Sequence, residues 1–349
     1  MASPGARTVT TVLGPVPADS LGKTLAHEHV FFDLRCYFTE SEDDPTGTEG
    51  DAPITPDRLW WLRTHPMNSR PNLVHEDIDL ATQEVMLFRQ AGGNSVVDVT
   101  TVGIAPHPRE LAEVSRRTGA HIVSGTGFYV AGSYPAEIAN WSEEQFADFF
   151  VQELEQGIDG TAIRAGLIGE LGIGNPPPDG ERRMLRAAAR VQRDLSVAVS
   201  LHPSWGSEGA LAAVSAAQDA GLDPFRTTIS HLDNRFRDDV PLFLHVARRG
   251  FFLDLDCFGR DLYYPHVNAQ LPSDTDRIRV LLSLVDAGFV GQILVAQDIC
   301  FAHELVANGG YGYAHFLRTT TPRLLRSGLD QSALDSLLIH NPHRWLAGR

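Results

Sequence analysis

The sequence of 349 residues has little cysteine and no long apolar run. Its three cysteines, Cys36, Cys257 and Cys300, are widely spaced and form no C-x-x-C pair, which excludes a recognisable disulfide framework or zinc-thiolate motif. Nowhere do about 18 apolar residues follow one another, and Met1–Leu21 has no continuous hydrophobic segment. These absences favour a cytoplasmic protein in a reducing compartment, without a membrane span.

The sequence is also poor in positive charge, with 29 Lys and Arg residues against 44 Asp and Glu residues and a formal net charge of −15. Because the chain has no basic stripe with which to neutralise a phosphate backbone, we expect no nucleic-acid partner. The absence of a G-x-S-x-G motif argues against a serine hydrolase. A small-molecule substrate is therefore the expected partner.

Short β-branched or apolar runs alternate with segments of helical period. Two of the helical segments are Ser142–Gln156, which opens with a capping box, and Gly180–Leu195. Strands alternating with helices form parallel sheets, and eight such units favour a closed barrel over an open sheet. The sequence therefore predicts an α/β protein with one (β/α)8 TIM-barrel domain over residues 1–349. The predicted strands are Thr24–Val30, Ser95–Thr100, His121–Thr126, Arg164–Glu170, Ser196–His202, Arg226–His231, Gly250–Asp256 and Gln292–Asp298.

Two segments depart from this alternation. Cys36–Asn72, rich in acidic residues and proline, follows the first predicted strand, and Phe258–Ser273 follows the seventh. Barrel enzymes carry their substrate-shaping loops at the carboxyl ends of the strands. We therefore expect long loops after strands 1 and 7 to shape a substrate site.

The first chemical signal is the H-x-H pair His27 and His29 in the first predicted strand. Residues two apart in a strand share a face, so both imidazoles point the same way while Glu28 points the other way. Two such imidazoles can hold one cation. The alternative is that both are hydrogen-bonded core histidines, and the pair alone does not decide between these interpretations.

Four further ligand-type residues end predicted strands, and the carboxyl ends of parallel barrel strands meet at one mouth. Six ligands exceed the three that a catalytic zinc takes, but they suit two cations about 3.5–4 Å apart, with one carboxylate between them. Four imidazoles and two carboxylates favour zinc, with manganese, iron or cobalt as alternatives. Glu170, on the fourth strand, is the expected bridge. The predicted ligands are His27, His29, Glu170, His202, His231 and Asp298.

Asp298 has a second predicted role. A hydroxide bridging two divalent ions would be the nucleophile, and Asp298 would take its proton and deliver it to the leaving group. The alternative for Asp298 is a structural cap at the strand end.

The chain also contains a set of short motifs: Gly22–His29, Gly166–Gly172, Ser200–Pro203, Ser230–Asp233, Val295–Asp298, Gly309–Tyr313 and Asn341-Pro342. These motifs resemble those of the phosphotriesterase family of the amidohydrolase superfamily, over essentially the whole chain. The resemblance implies a binuclear centre, with His27, His29 and Asp298 on one ion and His202 and His231 on the other, and it implies a homodimer. The bridge differs, since Glu170 stands where the organophosphate hydrolases have a carboxylated lysine, as in the phosphotriesterase-related and phosphotriesterase homology branch.

The related branch implies cleavage of a carboxylic amide, namely an N-acyl amide of a small anionic amine. Arg235 and Arg260 are the residues expected to bind the anionic group, unless they serve in loop salt bridges. Tyr129 and Trp205 are expected to wall the pocket, or else to pack structurally. The alternatives are a lactone, carboxylester or phosphoester hydrolase with the same centre, a mononuclear deaminase of the superfamily, and a barrel that has become a binding or scaffold protein.

Overall fold

The strands and helices follow the alternation expected from the sequence. In the computed structural model, which describes residues 7–44, 46–234 and 240–348, eight parallel strands lie in chain order in one sheet. The amide of Asp298 donates to the carbonyl oxygen of His27 at 3.3 Å, which joins the last strand end to the first. The predicted (β/α)8 barrel is confirmed. Its strands are Thr24–Glu28, Ser95–Asp98, His121–Thr126, Leu167–Ile173, Ala198–Pro203, Thr227–Ile229, Phe252–Leu255 and Ile293–Val295.

Helices cover the outside of the barrel, and none in the described ranges is long and apolar enough to cross a membrane. The capping box is present: Ser142 Oγ accepts from the amide of Gln145 at 3.2 Å, and Gln145 Oε1 accepts from the amide of Ser142 at 2.9 Å. The helices are Leu59–Thr64, Ile78–Gln90, Pro108–Thr118, Glu143–Glu155, Asp179–Leu195, Gly206–Ala220, Val240–Ala247, Asp274–Asp286, Thr321–Arg326, Gln331–Asp335 and Asn341–Ala347.

The amino-terminal end of the barrel is closed by a hairpin that the sequence analysis did not predict. Thr8–Thr11 pairs antiparallel with Gly14–Pro17. Val9 of this hairpin and Trp345 of the last helix share one buried apolar cluster with the strand residue Ala26. The opposite end, at the carboxyl termini of the strands, is left for a substrate.

Both predicted long loops lie at that carboxyl-terminal mouth and contain short regular elements. Residues 36–72 include the helix Leu59–Thr64, and residues 258–273 include an antiparallel pair, Tyr263–Tyr264 with Ala269–Gln270. Met67 of the first loop packs against the buried apolar cluster that contains Tyr264 of the second. The loops therefore pack together into an apolar cap beside the mouth.

The fourth strand lies three residues further along the chain than predicted, beginning at Leu167 rather than at Arg164. It runs through Ile173, so Glu170 lies inside the strand rather than at its end. The predicted strand stopped at a charged residue, whereas the apolar run continues past it. Pairing with the fifth strand shifts in register between Ile168 and Leu171, beside Gly169 with its positive φ of 120°. Such a bulge redirects a side chain, and here it lets a mid-strand carboxylate reach the barrel mouth.

Candidate metal centre

Imidazole and carboxylate groups from five barrel strands meet at the carboxyl-terminal mouth. His231 and Asp298 follow their strands in left-handed backbone, with φ of 59° and 51°. Non-glycine residues rarely adopt this conformation, and they do so mostly where the surrounding structure holds a functional group in place. The structure brings together all six predicted ligands, which are His27, His29, Glu170, His202, His231 and Asp298.

One half of the site is formed by the first and eighth strands. His29 Nε2 lies 3.4 Å from Asp298 Oδ1, and His27 Nε2 lies 3.7 Å from the same oxygen. Suitable ligand atoms of these three residues all lie within 4.8 Å of one another. This half therefore has the two imidazoles and the carboxylate expected around one cation.

The other half is formed by the fifth and sixth strands. His202 Nδ1 and His231 Nε2 lie 2.8 Å apart, and both face Glu170 Oε2, at 2.8 Å and 3.2 Å. Glu170 also faces the first half, with Oε1 at 3.4 Å from His29 Nε2 and Oε2 at 3.4 Å from His27 Nε2. The Glu170 carboxylate thus lies between the two pairs of histidines, in the position that a bridging ligand requires.

The donor set fits a metal centre because some of its buried atoms form no hydrogen bond within the described part of the chain. Both ring nitrogens of His27 and Oε1 of Glu170 are buried without a hydrogen bond among the described residues. Leaving a buried polar atom unsatisfied costs roughly 1–3 kcal/mol, and more where the group is charged. A divalent cation would satisfy Glu170 and the Nε2 atom of His27 together. Imidazole and carboxylate ligands suit zinc and its first-row neighbours.

Asp254, on the seventh strand, and Asp256, directly after that strand, contact the ring nitrogens of two histidines on the side away from the cavity. Asp256 Oδ1 lies 3.0 Å from His231 Nδ1, and Asp254 Oδ2 lies 3.4 Å from His27 Nδ1. Carboxylates at Nδ1 direct the Nε2 lone pair of an imidazole toward a metal. Sequence reasoning missed both aspartates, although the D-x-D spacing at the end of the predicted seventh strand parallels the H-x-H spacing of the first.

The electrostatic field of the site favours positive charge on the imidazoles. Burial alone would lower the pKa of His27 and of His29, but the surrounding carboxylates, Glu170 foremost for His27 and Asp298 for His29, raise both to about 10. Burial would also raise the pKa of Glu170, yet the neighbouring imidazoles of His202 and His27 hold it well below the ordinary value. Protons and metal ions compete for such nitrogens.

Arg260 is held by carboxylates of this chain. It is 1% exposed, with Nη1 2.7 Å from Asp298 Oδ2 and Nε 2.8 Å from Glu304 Oε1. Arg260 therefore forms the salt bridges that were the alternative to substrate binding. A contact between Arg260 and the substrate stays a prediction. Arg235 falls within residues 235–239, outside the described residues.

A cavity of about 440 Å³ opens beside the predicted ligands His202, His231 and Asp298. Tyr129 lines it, with its ring centroid 4.8 Å from that of His202, and Trp205 lines it at the rim. Both aromatic residues therefore lie where the sequence analysis expected a pocket wall. The cavity lies in the size range of sites for small organic ligands, about 300–1,000 Å³.

Comparison with known proteins places this geometry in a family. The phosphotriesterase family matches residues 7–346. The N-acetyltaurine hydrolase of Xenopus tropicalis is 36% identical over 97% of both chains. The solved structure of a resiniferatoxin-binding protein from Rhodobacter sphaeroides superposes with a TM-score of 0.93 at 36% identity, covering 97% of this chain and 94% of that one. The phosphotriesterase homology protein of Escherichia coli gives a TM-score of 0.77 at 28% identity, covering 94% and 99%. The chain therefore belongs to the phosphotriesterase family of hydrolases.

Proposed function

We propose that the protein is a metal-dependent amide hydrolase that cleaves N-acyl amides of small anionic amines, N-acetyltaurine being the first to test. The observation that carries the proposal is the Glu170 carboxylate lying between the pair His27 and His29 and the pair His202 and His231. The similarity to an N-acetyltaurine hydrolase over nearly the whole length of both chains supports the substrate class.

The proposed centre holds two divalent ions, zinc in the first instance and manganese, iron or cobalt as alternatives. His27, His29 and Asp298 would hold one ion, His202 and His231 the other, and Glu170 would contact both. Ions bound in this way supply Lewis-acid activation of the substrate carbonyl and of the attacking water.

Asp298 is the proposed proton carrier. Burial would raise its pKa, but Arg260 and the imidazoles of the site, His231 foremost, lower that pKa below the ordinary value, so the carboxylate is ionised and able to accept a proton. As the water oxygen bonds to the carbonyl carbon, its proton passes to Asp298. Asp298 then gives the proton to the amine nitrogen as the C–N bond breaks, which leaves a carboxylic acid and a free amine.

The test is hydrolysis of N-acetyltaurine by protein reconstituted with each metal, measured as the release of free amine. We expect turnover in the reconstituted wild-type protein. Asp298→Asn should keep the fold by circular dichroism and lose kcat by roughly 10²-fold or more. Absence of amide turnover with every metal, or near-normal turnover by the variant, would contradict the proposal.

A second candidate, hydrolysis of a neutral ester or lactone, is favoured by the charges around the cavity. Besides the ligand imidazoles, the residues of its described lining that can carry positive charge are Arg260 and His266. Arg260 is paired with Asp298 and Glu304, and burial lowers the pKa of His266, so His266 is neutral at pH 7. Arg235 stays the proposed partner of an anionic group. Faster turnover of neutral lactones than of N-acetyltaurine would favour this candidate.

A further inference from the structure

The cavity has an apolar wall made from three loops of the barrel mouth. Leu34 and Phe301, 3% and 2% exposed, belong to one buried cluster with Tyr129, and Tyr37 and Met67 pack against that cluster. These residues follow the first, third and eighth strands, which lie on one side of the barrel. Here the apolar wall means Leu34, Tyr37, Met67, Tyr129 and Phe301.

Polar side chains of the cavity follow the strands of the other side. Glu181, Ser204, Asn234 and His266 come after the fourth, fifth, sixth and seventh strands respectively. Trp205 and Tyr264 also lie on this side, with ring centroids 5.5 Å apart, and Tyr264 connects it to the buried cluster of the apolar wall. The cavity is thus divided between an apolar wall and a mixed, more polar wall.

We infer that the apolar wall binds the acyl group of the substrate and that the enzyme favours acyl groups longer than acetyl. This inference rests on the proposed function. In an amide of a small anionic amine, the amine side carries the charge, and burying a charge against side chains such as Leu34 and Phe301 is costly. The acyl side is the part of the substrate that this wall can desolvate favourably.

The division also orients the substrate over the proposed ions. Apart from Tyr129, whose ring centroid is 4.8 Å from that of His202, the apolar wall lies on the side of His27, His29 and Asp298. The polar residues lie on the side of His202 and His231. The acyl chain would therefore extend over the first half of the centre, and the amine would extend over the second half.

The size of the cavity predicts that turnover increases with the length of the acyl chain. An acetyl group offers one methyl to the apolar wall, whereas the cavity of about 440 Å³ has room for a longer chain. Each methylene taken from water into an apolar site is expected to raise kcat/KM about fourfold, if it is bound in the transition state. From acetyl to butanoyl the expected gain is roughly tenfold or more.

The experiment measures kcat/KM for a series of N-acyl taurines with acetyl, propanoyl, butanoyl and hexanoyl groups. Met67→Gln, which keeps the length of the side chain but makes it polar, should lower the ratio of butanoyl to acetyl turnover at least about threefold. Leu211→Gln is the matched control, since Leu211 is 39% exposed on the outer helix Gly206–Ala220, and it should leave that ratio unchanged.

The outcomes separate the inference from the proposed function. Hydrolysis of the whole series with acetyl as the best substrate, or an unchanged ratio in Met67→Gln, would overturn the inference and leave amide hydrolysis standing. If no member of the series is hydrolysed while the protein is folded and metal-loaded, the proposed function fails and the inference fails with it. If kcat/KM rises with the length of the acyl chain, and this rise is smaller in Met67→Gln but not in Leu211→Gln, the result supports both the inference and the proposed function.

Discussion

Arg260 Nη1 lies 2.7 Å from Asp298 Oδ2, and both side chains are buried. Oδ1 of the same carboxylate faces His29 Nε2 at 3.4 Å. Oδ2 also lies 3.6 Å from His231 Nδ1, so the Asp298 carboxylate lies between the Arg260 guanidinium and the imidazoles of the candidate site. Glu304 accepts two hydrogen bonds from the same guanidinium, with Oε1 2.8 Å from Nε and Oε2 3.0 Å from Nη2 of Arg260.

From this arrangement we expect Arg260 to position the proposed proton carrier Asp298, and Arg260→Lys tests this role. Lysine keeps the charge but cannot form the forked contacts that fix Asp298 and Glu304 at once. We expect kcat to fall roughly tenfold or more, because a small displacement of a catalytic group is costly, while KM changes little. Steady-state kinetics with N-acetyltaurine measure both quantities.

A companion variant separates this role from substrate binding. Glu304→Gln weakens the hold on Arg260 without altering Asp298, and it should lower kcat in the same direction as Arg260→Lys. Arg260→Lys could instead leave kcat unchanged and raise KM for anionic substrates alone. That result would support the predicted contact between Arg260 and the substrate.

Glu170→Gln tests the bridging carboxylate. Glutamine has the same shape but lacks the negative charge, so two cations close together would repel each other without compensation. We expect the metal content to fall from two ions per chain to about one and kcat to fall with it, as measured by elemental analysis of dialysed protein. Glu84→Gln is the control, because Glu84 is a buried carboxylate whose oxygens accept from the amides of Val306 and Ala307, away from the centre. One ion in the wild-type protein would reject the binuclear proposal.

The convergence of the ligands was predictable because it follows from topology. Parallel strands in a closed barrel bring their carboxyl ends to one mouth, so His27 and Asp298 could be placed together from strand predictions alone. The family resemblance added the predicted division of these residues between two ions. The homodimer expected from that resemblance stays a prediction.

The parts that were not predicted depend on loop conformation and on long-range pairing. The partners of Arg260 are Asp298 and Glu304, which lie 38 and 44 positions away in the chain on other segments of the mouth. No local pattern shows that these groups meet. The position of Glu170 within its strand depends on a register shift at Gly169, which hydrophobic alternation does not reveal.

The raised pKa values of the imidazoles predict how metal binding depends on pH. His27 and His29 have pKa values of about 10 in the carboxylate field, so protons compete for their nitrogens throughout the neutral range. A metal must displace these protons, and its apparent affinity should therefore rise as pH rises from 6 to 9. Zinc titrations against a competing chelator at constant ionic strength measure the affinity. Equal affinity at pH 6 and pH 9 would show that the site binds the metal without releasing protons.

Two other buried histidines predict loss of stability in acid, independently of the metal. Burial lowers the pKa of His75 to about 4, and burial with the nearby Arg260 and Arg63 lowers that of His303 to about 3. Because the ordinary value in an unfolded chain is about 6.5, the unfolded state binds protons first as pH falls. The contribution of these groups to folding stability is complete above about pH 6.5 and is lost progressively as pH falls toward 3–4.

The variant His303→Gln isolates one of these contributions. His303 Nδ1 lies 2.9 Å from Asn72 Oδ1, a contact in which the amide of glutamine can replace the imidazole as donor. Glutamine does not titrate, so the free energy of unfolding of the variant should decline less between pH 6.5 and pH 4 than that of the wild-type protein. Urea unfolding at pH 7, 6, 5 and 4 measures the difference. The protein is stripped of metal first, because metal binding displaces protons and would add its own pH dependence to the stability. Parallel declines in the two proteins would mean that His303 does not contribute to acid unfolding, and the pH dependence would then be assigned to His75 and the carboxylates.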